Sequence, residues 1–251
     1  MFIDLPSYIN PRTKLVDEVI ERVQEFHIIR VCGTPASGKT ILSQLVANKL
    51  LEMYGHTTPI YTVMGWEKRV VEPIGWDEYL MQRTGVRGDD WPTYPAYLLL
   101  DEAQQSHWDI GIWTDLFKHI QPIVGSPFVI LFSSYGSPST GFAGFEEKYE
   151  PTPMVFAPRQ QISMRPHESV SSDMPTSTQV GRRPVGLLLE EHEAMHILTK
   201  YPPVVNVPFP PLSADLKKYI FLIGDGHVGF VTSLVRAFKE VPVSVPMRNL
   251  N

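Results

Sequence analysis

Cysteine is almost missing from this chain: Cys32 is the only one in 251 residues. That excludes an intramolecular disulfide and any zinc-ribbon site, and it favours an intracellular setting. Long apolar runs are missing as well. No stretch approaches the roughly 18 apolar residues that a membrane span needs. The opening residues, MFIDLPSYINPR, carry neither the basic n-region nor the apolar h-region of a signal peptide. Nor is there an excess of positive charge, since 22 Lys and Arg stand against 27 Asp and Glu for a net charge of -5. Nothing draws the whole surface to a phosphate backbone, and the short pair Arg182–Arg183 reads as a solvated loop. Neither a membrane nor a nucleic acid is therefore an expected partner, and no internal repeat is visible.

What the chain does have is enough apolar side chain to fill a core, 43% of its residues, dealt out in short runs. HIIRVC, PIYTVM, PAYLLLDEAQ and FVILFSSYG read as strands, and RQQISM (159–164) as a fifth. Between them lie segments of helical period. LVDEVIERV sets Val16, Val19, Ile20 and Val23 on one face, ILSQLVANKL runs to a stop at Gly55, GWDEYLMQRTG is a short helix, and WDIGIWTDLFKHI aligns Ile112, Leu116 and Ile120. Strands alternating with helices predict an α/β fold whose parallel sheet is covered on both faces. After Gly136 the pattern dissolves into loop-like sequence. It resumes with VGLLLEEHEAMHILTKY and, past the proline-rich spacer YPPVVNVPFPPLS, with two further helices. The expected organisation is a core over 1–165, an insertion over 166–184 and a small helical lid over 185–251.

One stretch carries chemistry on its own. Residues 33–40, GTPASGKT, fit the pattern G-x-x-x-x-G-K-S/T with Gly33, Gly38, Lys39 and Thr40 in the fixed places, at a strand-to-helix junction. A loop that wraps a polyphosphate must turn its backbone N–H groups inward at close range, which glycine permits. Thr34, Pro35, Ala36 and Ser37 complete that wrapping backbone. The helix that follows adds its free N–H groups and the positive end of its dipole. Lys39 is then expected on the β and γ oxygens, and the Thr40 hydroxyl on Mg²⁺.

Asp101 and Glu102 end the apolar run YLLL. Open parallel sheets bind ligands at the carboxyl ends of their strands. Asp101 is accordingly expected to hold Mg²⁺, directly or through water, and Glu102 to act as the base that activates water for attack on the γ-phosphate. Ser133 and Ser134 end FVILF and allow two readings, sensors of the γ-phosphate or a polar cap on a buried strand. No N-K-x-D follows, so the base expected is adenine rather than guanine.

GTPASGKT, LLLDEAQ followed by WD, ILFSSYGSPS, VGLLLEEHE and GDGHVGFV together resemble the P-loop ATPase module of Crinkler-type and RHS-type proteins of fungi and oomycetes. That module is similar to the AAA+ and STAND branches of the additional-strand ATPases. The resemblance spans about residues 10 to 240. It implies a three-layer P-loop NTPase sandwich with five parallel strands in the order 5-1-4-3-2. It also implies Asp101 as the Mg²⁺ residue, Glu102 as the base, Ser133 or Ser134 as the sensor, and GDGHVG as the turn into the nucleotide-covering helix of the lid. In that turn His227 stands near the place where AAA+ proteins usually carry an arginine, and a histidine is a poorer permanent cation at neutral pH. The expected activity is Mg-dependent ATP hydrolysis, with ATP and ADP as ligands and a homo-oligomer or a signalling protein as partner. A slow nucleotide-dependent signalling switch and a small-molecule kinase are the alternatives.

Overall fold

The computed structural model describes residues 2–134, 153–166, 185–201 and 211–240. Most of the stretch after Gly136, most of the expected insertion including Arg182 and Arg183, and most of the proline-rich spacer lie outside these residues.

Five strands form one parallel sheet: β1 (Ile28–Gly33), β2 (Ile60–Met64), β3 (Tyr97–Asp101), β4 (Phe128–Ser134) and β5 (Gln161–Ile162). Their order is β2-β3-β4-β1-β5. Read from the other edge this is the expected 5-1-4-3-2. A parallel neighbour can be reached only by a crossover, and helices supply it. Helix α1 (Thr13–Phe26) precedes β1, and the crossovers include α2 (Lys39–Tyr54) between β1 and β2 and α3 (Lys68–Val71) between β2 and β3. Then α4 (Trp76–Thr84) follows α3 ahead of β3.

Alternation along the strands divides the core in two. Ile29, Val31, Leu99, Ile130 and Phe132 face α1 and α2, where they meet Val19, Val23, Leu42, Val46 and Leu50. Ile28, Leu98, Leu100, Val129 and Leu131 face the other way, into an aromatic layer of Trp66, Trp91, Trp113 and Phe117. YLLL and FVILF are apolar at every position because both faces of these central strands are covered. At about 25 cal/mol per Å² of apolar surface, each fully buried Leu, Ile or Phe contributes roughly 1.5–3 kcal/mol.

Three segments differ from their sequence pattern. The helix read over 108–120 is a π-turn (Ile112–Leu116) followed by a 3-10 turn (Phe117–His119). The Thr114 hydroxyl donates to Ile110 O at 2.9 Å and to Gly111 O at 3.3 Å. It thereby competes for carbonyls that a regular α ladder would use. RGDDWPTYP, which reads as turns, contains a 3-10 helix (Gly88–Thr93) that buries Trp91. The fifth strand is only two residues long, pairing Gln161 and Ile162 with Arg30 and Val31.

One buried charge braces the aromatic layer. Asp109 accepts the Trp66 indole N–H at 2.9 Å, and burial pushes its carboxyl above the usual range against the pull of that bond and two backbone donors.

By contacts the chain divides into two compact units, Met1–Asp4 with Pro11–Leu187, and Leu5–Asn10 with Leu188–Asn251. The first holds the sheet. The second contains α5 (Glu191–Lys200), α6 (Ala214–Gly224) and α7 (Val228–Glu240), packed on Leu198, Leu212, Ile220, Val231 and Val235. Among the described residues no helix is long and apolar enough to cross a membrane.

Candidate functional site

The site grows from the carboxyl ends of β1, β3 and β4. Gly33 is the last residue of β1 and lies opposite Ser134 of β4. A Cβ on Gly33 would fall 2.5 Å from Leu187 Cδ1 and 2.6 Å from Ser37 Oγ, so no larger residue fits without displacement. The bend closes on itself through Ser37 N–H to Thr34 O at 3.3 Å. It leaves Pro35 and Ala36 exposed and takes Ala36 and Gly38 to φ values of 59° and 88°. Gly38 is the N-cap of α2, and no side chain caps it. The first-turn N–H groups of that 16-residue helix are thus available to an anion.

Lys39 is nearly buried, at 4% exposure. Its ammonium donates to Thr34 O at 2.9 Å and to Gly33 O and Ser37 Oγ at 3.4 Å each. The bend therefore holds its cation with its own oxygens. Burial lowers the pKa of Lys39, and the nearby carboxylates of Glu102 and Asp101 act in the opposite direction.

Thr40 Oγ1 donates to Asp101 Oδ2 at 2.7 Å. This bond joins the start of α2 to the end of β3, bringing together the two residues read from sequence as the metal pair. Asp101 is 2% exposed, and its other oxygen accepts the Glu102 N–H at 3.0 Å. Burial raises its pKa, against the hydrogen bonds from Thr40 and the Glu102 backbone. Among the described residues no three His, Cys, Asp or Glu side chains form a metal cage. One carboxylate and one hydroxyl beside an uncapped helix N-terminus is instead a donor set that fits Mg²⁺, which takes few protein ligands and completes its shell with water or phosphate oxygens.

Glu102 adopts the left-handed conformation, φ 54°, which ends β3 and sends the chain into a short 3-10 turn, Ala103–Ser106. Its carboxylate accepts the side-chain amide of Gln104. Ser133 and Ser134, the last residues of β4, are both buried opposite Cys32 and Gly33. Ser134 N–H donates to Gln104 Oε1 at 2.8 Å. His227 lies in the second unit, where its Nδ1 accepts Phe230 N–H at 3.3 Å at the start of α7.

Three features escaped the sequence reading. Gln104 stands in the quoted LLLDEAQ but drew no role, because a polar residue after a strand is ordinary punctuation. Met164 and Leu187 flank Gly33, a proximity set by tertiary folding alone. Arg12, buried at φ 46°, donates to Leu187 O at 2.8 Å and Gly186 O at 3.3 Å, anchoring the segment that flanks Gly33.

No protein-family model matches the chain, and no curated protein matches it. Function must therefore be read from the site itself.

Proposed function

We propose that this chain is a P-loop ATPase of AAA+/STAND-like kind, which binds ATP with Mg²⁺ and hydrolyses it to drive a change of conformation or assembly. The observation that carries the reading is the 2.7 Å bond between Thr40 and Asp101 beside a glycine bend with a buried lysine. A hydroxyl, a carboxylate, an ammonium and an uncapped helix N-terminus converge where a metal-bound triphosphate needs all four.

On this reading the bend and the start of α2 bind the α- and β-phosphates through backbone N–H groups. Lys39 exchanges the bend's oxygens for those of the β- and γ-phosphates. Thr40 and Asp101 hold the metal, and Mg²⁺, when bound, neutralises charge on the phosphate oxygens and fixes their geometry. Glu102 accepts a proton from water while the water oxygen bonds to the γ-phosphorus. The bond from that phosphorus to the bridging oxygen breaks, and its electron pair leaves with ADP.

Phosphate release, followed by malachite green with and without Mg²⁺, tests this. Wild type should turn over only with Mg²⁺. Glu102→Gln should bind ATP yet turn over about 10²-fold or more slowly, the scale of a lost general base. Lys39→Ala should lose binding. Equal phosphate release by all three proteins would reject the proposal.

A further inference from the structure

Gln104 is 8% exposed and makes two side-chain hydrogen bonds that point in different directions. Its Oε1 accepts Ser134 N–H, and its Nε2 donates to Glu102 Oε2. The orientation of the amide is not arbitrary. A backbone N–H can only donate, so the amide oxygen must face Ser134 and the amide nitrogen must face Glu102. Ser134 in turn is fixed by the sheet, since its strand pairs in parallel with β1 and places it opposite Gly33. A continuous path thus runs from the Glu102 carboxylate through one side-chain amide to the end of β4, the strand that pairs with β1 where β1 enters the glycine bend.

Glu102 needs such a partner. It sits at a left-handed residue just past the end of β3, where the strand's own ladder no longer orients it. We infer that Gln104 is a positioning residue for the hydrolysis proposed above, holding the Glu102 carboxylate in register with the phosphate-binding bend. The inference rests on that reading of Glu102 as the base. Because the amide engages Oε2, the proton lost by the attacking water is assigned to Oε1. Gln104 itself touches neither water nor phosphate in this scheme.

Two variants separate the bonds. Gln104→Met keeps the volume and loses both bonds. Gln104→Glu keeps an acceptor for Ser134 N–H and loses the donor to Glu102. Each should lower kcat by about 10²-fold, the effect of misplacing a reacting group by about an ångström. The Met variant should keep its Kd for Mg·ATP within about threefold, since positioning the base is separate from ground-state binding. Both effects should vanish in a Glu102→Gln background, because residues that act as a unit are not additive.

Single-turnover hydrolysis of γ-labelled ATP, with melting curves to verify folding, reads all of these. Full kcat in the Glu variant would overturn the inference, as would the same fold-loss with and without the Glu102 carboxylate. If wild type binds Mg·ATP but releases no phosphate, the hydrolysis reading falls and takes the inference with it. A hydrolysing wild type with an indifferent Gln104 sinks the inference alone.

Discussion

Lys39 and Asp101 are charged groups taken almost out of water, and burial works against the charge on both. Asp101 is a carboxyl with a raised folded pKa, so the folded state takes up a proton more readily than the unfolded chain does. Stability contributed by Asp101 therefore falls as pH rises from the unfolded to the folded value, and the penalty is complete above the latter. For Lys39 the folded value is lowered, and its penalty is complete below that value. At neutral pH the burial of these two charges therefore works against the fold. Asp101→Asn should raise the melting temperature of the nucleotide-free protein, since it removes a charge that burial disfavours. The same substitution should abolish the extra stabilisation by Mg²⁺ with ATP. A lower Tm in the variant, by differential scanning fluorimetry at pH 7.5, would contradict this account of Asp101. At this scale the sequence was readable where function is local. The spacing from Gly33 to Thr40 fixes a bend and a helix start without help from the rest of the chain. Gln104 was not readable, because its meaning depends on an N–H that lies 30 residues away.

Among the elements, the bend between β1 and α2 leaves no spare room at Gly33. Gly33→Ala would set a methyl group against Leu187 and Ser37, an overpacking that costs about 1–3 kcal/mol. It should also weaken Mg·ATP binding by about tenfold or more, since 1.4 kcal/mol of distortion in the bound loop is already a factor of ten. Urea unfolding and nucleotide titration check the two parts separately. In the second unit, Ser213 is the N-cap of α6, and its hydroxyl accepts Leu216 N–H at 3.2 Å. Ser213→Ala should cost about 1 kcal/mol of helix stability, read as faster amide exchange in the first turn of α6, with hydrolysis unchanged. The strands β3 and β4 were legible because two-sided burial demands nearly unbroken apolar runs, and β1 because branched residues flank its single Arg30. The turns around 88–93 and 112–119 were not. Their shape follows from Trp91 entering the aromatic layer and from Thr114 taking backbone carbonyls, neither of which leaves a period in the sequence.

At the scale of the whole molecule, the strand order brings β1, β3 and β4 side by side, so that Gly33, Asp101 and Ser134 end together although the sequence spreads them widely. The order was anticipated through the likeness of several motifs, and the alternation of strands and helices gave the parallel class independently. A ligand that binds only the folded state at 100 times its Kd adds about 2.7 kcal/mol. Saturating Mg·ATP should therefore raise the Tm of wild type by several degrees and leave Lys39→Ala unmoved. The most direct test is calorimetry on Glu102→Gln, in which turnover heat is suppressed. Titration of ATP in the presence of Mg²⁺ should give one saturable site per chain, lost on adding Lys39→Ala to the same protein. No heat of binding over the titration, or an isotherm unchanged by the lysine substitution, would contradict the claim that this bend holds a metal-bound triphosphate.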